Sequence, residues 1–268
     1  MFAPCGFQRS AFLPCYGLAE ATLLVTGNKR PKGPKIASFD HDALLEGELR
    51  PPKPGHSATT LVGCGAPGED HEVAIVDPYT LERCPSGCIG EIWVSGPSVA
   101  SGYWNQPGRA ADFEAHIAGD TSQTAFLRTG DLGAIVGEDL FVTGRIKELL
   151  ILHGRNIHPH DLEQSAEEAH PALRQHCSAA FTIEEGGRTE VALVLEVEAG
   201  TEQLEDVMSA IRRRVAADLD VQAQRVVLVP PGSVPKTTSG KIQRIFMREL
   251  LLAGEVEPLA SWRMGEGR

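Results

Sequence analysis

Long apolar runs are missing from this chain: nothing approaches the ~18 consecutive apolar residues of a membrane-spanning helix. The opening Met1-Phe2-Ala3-Pro4-Cys5-Gly6-Phe7-Gln8-Arg9-Ser10 lacks the charged-then-apolar order of a secretory leader. Basic charge is also short, with 25 Lys and Arg against 36 Asp and Glu and a net charge of −11. Non-specific nucleic-acid binding needs a basic face, and this balance argues against it. Cysteine is too sparse for a disulfide framework: six residues are spread over 268. Reduced thiols in a cytoplasmic protein are the expectation. Cys84-Pro85-Ser86-Gly87-Cys88 has neither the redox spacing nor the second pair that zinc requires, and it reads as a turn.

Three familiar ligand motifs fail as well. Gly63-Cys64-Gly65-Ala66-Pro67-Gly68 fits the dinucleotide text, but a strand pattern follows where the phosphates need a helix N-terminus. Ser239-Gly240-Lys241 lacks the opening glycine and the metal-binding hydroxyl of a P-loop. His153, His158 and His160 lie close together, but no carboxylate or thiolate at a convincing spacing completes a metal set.

What is present changes character near the middle. Residues 18–25 carry a short helical pattern, and 28–54 are loop-rich with one candidate segment at 39–49. Strand patterns follow at 73–76 and 89–95. Those at 133–136 and 140–143 flank Gly137-Glu138-Asp139 as a hairpin, and 147–152 is one more apolar run. The later part alternates: a helix at 160–169 opened by Pro159, strands at 178–183 and 191–197, and an amphipathic helix through Leu204, Val207, Met208, Ile211, Val215 and Leu219. A strand at 225–229 and a closing helix at 242–252 complete it, with a frayed end from Gly254. The expected fold is α/β in the α+β sense. Residues 1–146 form a mainly β part, and 147–268 form a small domain with its helices on one sheet face.

Polar groups concentrate at 128–163. Asp131, beside Gly130, could accept from the vicinal hydroxyls of a ribose, and Arg145 at the end of the hairpin could reach the same sugar or its phosphate. Each alone reads as an ordinary turn or a surface ion pair. Lys241, on a Gly/Ser loop, could carry a cation to a phosphoryl group, where the transition state spreads negative charge.

Four motifs taken together, Tyr16-Gly17-Leu18-Ala19-Glu20, Arg128-Thr129-Gly130-Asp131, Gly144-Arg145-Ile146-Lys147 and Pro235-Lys236-Thr237-Thr238-Ser239-Gly240-Lys241, resemble the adenylate-forming enzymes. That family includes acyl-CoA synthetases, non-ribosomal adenylation domains and luciferase. The runs 15–24 and 154–163 look most like its fatty acyl-AMP ligase branch. The resemblance implies ATP-dependent activation of a fatty acid to an acyl-adenylate, then transfer to an acyl carrier protein or a polyketide synthase carrier domain. By the same resemblance Tyr16 stacks on adenine, with Gly17 in the same motif, and Glu20 helps hold Mg on the ATP phosphates. Asp131 and Arg145 bind ribose, Lys147 is a hinge, and Lys241 is the catalytic lysine carried by a mobile small domain.

Ala19 stands where many relatives have a phosphate-touching threonine, and nothing before Phe12 resembles the family's upstream phosphate loop. The chain therefore reads as the C-terminal part of such an enzyme, inactive alone. A long-chain acyl-CoA synthetase and a non-catalytic acyl-AMP-ligase-like binding module are the alternatives.

Overall fold

Alternating apolar residues from Val73 to Val142 can hide only on the faces of a sheet, and they do so. The computed structural model describes residues 2–28, 33–152, 155–185 and 188–265. It comprises two compact units, Met1–Lys147 and Glu148–Arg268.

In the first unit, β1 (Cys15–Tyr16), β2 (Thr26–Gly27), β3 (Lys35–Asp40), α1 (His41–Leu45), β4 (Ala58–Gly63), β5 (Ala66–Pro67), β6 (Glu72–Val76), β7 (Gly90–Ser95), β8 (Leu127–Val136) and β9 (Asp139–Arg145) follow in order. The main sheet runs β3-β4-β9-β8-β7-β6, and β1-β2-β5 form a second, small one. Neighbours in both are antiparallel. On one face Val73, Ile75, Ile92, Val94 and Leu140 pack with Tyr16, Ala21 and Val25. The other face buries Trp93 and Phe126 with Ala74, Val76 and Ile117. Removing such side chains from water contributes roughly 1.5–3 kcal/mol each. The β8–β9 hairpin closes on Gly137-Glu138, since Val136 already pairs with Asp139.

The helix expected at 18–25 is instead a single 3-10 turn, Ala19–Ala21. Thr22 and Leu23 take φ of 53° and 97°, and the reversal returns Val25 N–H to the Tyr16 carbonyl at 2.9 Å. Eight residues cannot repay helix nucleation without a face to bury, and Leu23 and Leu24 stay exposed. The segment at 39–49 is a strand end followed by α1, whose first turn is capped by the Asp40 carboxylate accepting from Ala43 N–H at 3.0 Å.

The second unit holds β10 (Leu150–Leu152), β11 (Arg155–Ile157), α2 (Pro159–Glu167), β12 (Leu173–Glu185), β13 (Arg188–Val197), α3 (Leu204–Leu219), β14 (Arg225–Val229), α4 (Arg244–Ala253) and β15 (Ala260–Arg263). β10 and β11 pair with each other, and a four-stranded sheet runs β12-β13-β14-β15. Gly186 and Gly187, in the expected hairpin turn, lie outside the described residues. The β13–β14 pair is parallel, with α3 as its crossover.

Helices cover both sheet faces, not one. Met247 and Leu251 of α4 pack on Ala179, Phe181, Ala192, Val194 and Val227. On the opposite face, Arg212 of α3 stacks 3.5 Å over Trp262, the register partner of Val226, and Ser165 of α2 bonds Asp218 of α3 at 2.9 Å. Residues 254–265 are not frayed either. β15 adds the fourth strand, held by Arg263 against Glu190 at 2.9 Å. Four residues with one large apolar side chain carry too little pattern to read as a strand. The closing helix begins at Arg244, two residues late, because Ile242 is engaged in a bridge to Lys236. No described helix is long and apolar enough to cross a membrane.

Candidate functional site

Asp131 and Arg145 are direct cross-strand partners in β8 and β9, which sets a carboxylate opposite a guanidinium. Arg145 Nε lies 2.7 Å from Asp131 Oδ1. On the other oxygen, Tyr16 donates its hydroxyl to Asp131 Oδ2 at 2.7 Å. Three residues from distant parts of the sequence therefore meet in one hydrogen-bonded cluster of the first unit. Asp131 is buried, while the Arg145 side chain is 61% exposed. A carboxylate has about four acceptor positions, so Asp131 retains capacity for a vicinal diol. The Tyr16 ring packs in the apolar cluster beneath, and the residue is 8% exposed.

A bulge presents this cluster. Glu91 faces Leu132 and Trp93 faces Arg128, so the run 129–131 of β8 bulges from its pairing with β7 while Asp131 stays paired with Arg145 of β9. Gly130 takes φ of 72° there, a conformation that favours glycine. Glu91 fills the loop from below: its Oε2 accepts from Arg128 Nε and Nη2 at 3.0 and 2.7 Å, and its Oε1 from Gly130 N–H at 3.1 Å. Thr129 donates to the Ile92 carbonyl at 2.7 Å and accepts from Asp131 N–H at 3.0 Å. Glu91 was not a sequence candidate. Its one signal was an acidic residue inside an otherwise apolar strand.

Gly17 has a steric cause. A Cβ there would lie 1.4 Å from the Leu23 carbonyl oxygen, because the chain folds back on itself. Gly17→Ala is expected to displace the 16–25 turn and to lower the thermal midpoint by several degrees, about 1–3 kcal/mol. An unchanged melting curve would refute the close approach. In Glu20, Oε1 accepts from the Tyr103 hydroxyl at 2.6 Å, and among the described residues no partner engages Oε2. A single free carboxylate oxygen fits Mg²⁺, which takes one or two carboxylates together with substrate phosphates.

Burial, and then the charge of Asp131, push the Tyr16 phenol far above its ordinary value of 10.0. The sign follows from linkage: the unfolded phenol ionises first, so this contribution is intact below pH ~10 and fades as pH climbs toward the folded value. Of three tyrosines, Tyr16 is expected to ionise only with unfolding. A late phenolate step at 295 nm that disappears in Tyr16→Phe would show it, and a step before unfolding would disprove it.

Lys147 lies exposed in the 3-10 turn Ile146–Glu148. Lys241 belongs to the second unit, at the exposed tip of a loop closed by Thr237 N–H to the Lys241 carbonyl at 2.8 Å and Lys241 N–H to Thr237 Oγ1 at 3.0 Å. Residues 63–68 run from β4 into β5 with no helix, and Cys88 N–H closes a turn on Pro85 at 3.1 Å. The six cysteines are free, and burial lifts the Cys84 thiol to about 11. His158 is buried at the start of α2, where desolvation lowers its pKa, and it joins no metal-type cluster among the described residues. His153 and Gly154 lie outside the described residues.

Residues 3–104 match the family described as AMP-binding enzyme. The chain is 40% identical over 263 residues to a medium-chain-fatty-acid–[acyl-carrier-protein] ligase of Moorena producens, spanning 96% of this chain and 44% of that protein. It is 37% identical over 255 residues to a long-chain-fatty-acid–AMP ligase of Mycobacterium marinum, covering 91% and 43%. Among solved structures it is similar to one from a study of fatty acyl-adenylate ligases of E. coli and L. pneumophila, with TM-score 0.82, 30% identity and coverage of 95% and 44%. The L. pneumophila fatty acyl-adenylate ligase in complex with acyl adenylate and pyrophosphate gives TM-score 0.53, 36% identity and coverage of 98% and 46%. The chain thus spans less than half the length of these relatives.

Proposed function

We propose, from the premise that residues 3–104 belong to the AMP-binding enzyme family, that this chain supplies the ribose-binding cluster and the mobile lysine of a fatty acyl-AMP ligase. The proposed reaction joins a fatty acid carboxylate to the α-phosphate of ATP, releasing pyrophosphate, and then passes the acyl group to a carrier-protein thiol. The observation that carries the proposal is Asp131, raised on a bulge and held between Tyr16 and Arg145. Asp131 would accept from both ribose hydroxyls, with Arg145 beside them and the Tyr16 ring against adenine. The Tyr16 hydroxyl on Asp131 sets the plane of that ring. Glu20 would hold Mg²⁺ through its free oxygen, and the ion would offset charge on the phosphates.

Lys147 is proposed as the pivot of the small domain, and Lys241 as the ammonium brought between the carboxylate and the α-phosphate. No covalent enzyme intermediate is required. Rate would come from positioning and from charge placed where the transition state becomes negative. The carrier domain of a polyketide synthase as acceptor, and a cytoplasmic site of action, belong to the same proposal.

The test joins this chain to the remaining portion of the Moorena producens relative. Fatty-acid-dependent exchange of pyrophosphate into ATP is expected from the fusion, and none from this chain alone. A fusion that folds but does not exchange would count against the reading. Supplying CoA or a holo-carrier protein and identifying the thioester separates a carrier-protein ligase from a CoA ligase. A second reading rests on the Tyr16–Asp131–Arg145 cluster being built wholly within the first unit: the chain would then act as a nucleotide-binding module without turnover. Calorimetry with a stable acyl-adenylate analogue tests it: binding without exchange in the fusion would favour the module.

A further inference from the structure

The loop that ends at Lys241 is open at its tip and tied at its feet. Val234 N–H donates to Glu196 at 2.9 Å, Lys236 Nζ lies 3.1 Å from Cys177 Sγ, and Gln243 N–H closes on the Pro235 carbonyl at 2.9 Å. The strongest tie comes three residues after Lys241. Arg244 Nε and Nη2 meet Glu163 Oε1 and Oε2 at 2.6 and 2.7 Å, and Nη1 meets Glu148 Oε2 at 2.6 Å. Glu163 is itself anchored by Ala180 N–H of β12 at 2.9 Å. The Arg244 side chain is 18% exposed and that of Glu163 6%, so water competes little for these bonds.

Two features set this triad apart from general surface pairing. It engages Nε, Nη1 and Nη2 of one guanidinium with two carboxylates, a fork that an ammonium cannot reproduce. Its three members also come from functionally distinct places: Glu148 follows Lys147 in sequence, Glu163 is on α2, and Arg244 opens α4 behind the Lys241 loop.

We propose that Arg244 is the positioning residue of Lys241, and that the Glu148–Arg244–Glu163 clamp locks the lysine loop to the segment directly after Lys147. The inference rests on the proposed role of Lys241 for its chemical meaning, while the clamp itself is a property of this chain. A displacement starting at Lys147 is then transmitted to Lys241 without loss in a flexible loop. The lysine arrives at a defined point, and the entropy of ordering it is already spent in the fold.

Amide hydrogen exchange on the full chain reads the clamp directly, through the hydrogen-bonded amides of Thr237, Gly240, Lys241 and Gln243. In Arg244→Ala these four are expected to exchange on the order of tenfold faster, with β12–β14 protection unchanged. Arg244→Lys is expected to restore little, because one ammonium cannot fork on Glu163 and also reach Glu148. Added methylguanidinium is expected to restore protection to Arg244→Ala in a saturable way, and added ammonium is not. Unchanged loop exchange in a folded Arg244→Ala would overturn the proposal, as would equal rescue by lysine.

Should Arg244→Ala fail to fold, Glu148→Gln leaves the Glu163 fork in place and is expected to quicken the same amides several-fold. No change there would also overturn it. In the fusion enzyme, Arg244→Ala is expected to lower kcat with KM for ATP unchanged. Unchanged activity in Lys241→Ala together with a positive hydrogen-exchange result would fault the catalytic reading and leave the clamp standing.

Discussion

Lys241→Ala is expected to lower acyl-adenylate formation by on the order of 10²–10³-fold in the fusion enzyme while ATP binding survives. The ammonium stands at an exposed loop tip in a unit separate from the Tyr16–Asp131–Arg145 cluster. That cluster is built wholly from residues of the first unit. A group that meets substrate only as charge develops on the phosphate oxygens lowers kcat and leaves ground-state affinity alone. Pyrophosphate release under saturating ATP and fatty acid measures the first quantity, and calorimetry with ATP the second. Unchanged pyrophosphate release in the variant would remove Lys241 from the mechanism. Loss of ATP binding with folding intact would make it a ground-state ligand instead.

Glu91→Ala is expected to be strongly destabilising to the first unit, although Glu91 touches no proposed ligand. Its carboxylate accepts three hydrogen bonds, two from Arg128 and one from Gly130 N–H. Truncation leaves a part-buried N–H without an acceptor and a guanidinium without its partner. Breaking a buried pair costs about 3–5 kcal/mol. The Arg128 side chain is 34% exposed and water will recover part of that, so about 3 kcal/mol is the better figure. That is roughly 6–12 °C in thermal midpoint for a unit of this size. Glu91→Gln retains an acceptor for Gly130 and is expected to lose markedly less. Because the bulge aims Asp131, the same variant should weaken nucleotide binding below its melting temperature. A stable Glu91→Ala that still binds an acyl-adenylate analogue normally would show that the bulge holds its shape by backbone alone.

Legibility followed the kind of interaction involved. Val73 to Val76, the hairpin through Gly137, and the helix from Leu204 to Leu219 were readable because each is set by local periodicity and turn residues. The helix expected at 18–25 was not correct. Its end depended on a Gly17 contact with Leu23 that no periodicity encodes. β15 escaped notice because an edge strand held by Arg263–Glu190 and by Arg212 over Trp262 needs no alternating apolar pattern. The placement of α3 and α4 on opposite faces likewise depends on register, which one sequence does not display.

The sequence by itself determined the mixed character of the chain, the order of its elements from α2 to α4, and the four motifs whose combination points to adenylate chemistry. Motifs are short runs of backbone-dictated residues, and they survive reading in one dimension. Only the tertiary structure decided that Tyr16 and Asp131, 115 residues apart, share a hydrogen bond. It also decided that a β8 bulge on Glu91 aims that pair, and that Arg244 binds the Lys241 loop to Glu163 and Glu148. These are contacts between buried charges that need partners wherever the fold brings them. A buried carboxylate shows its purpose only once its donors are in view.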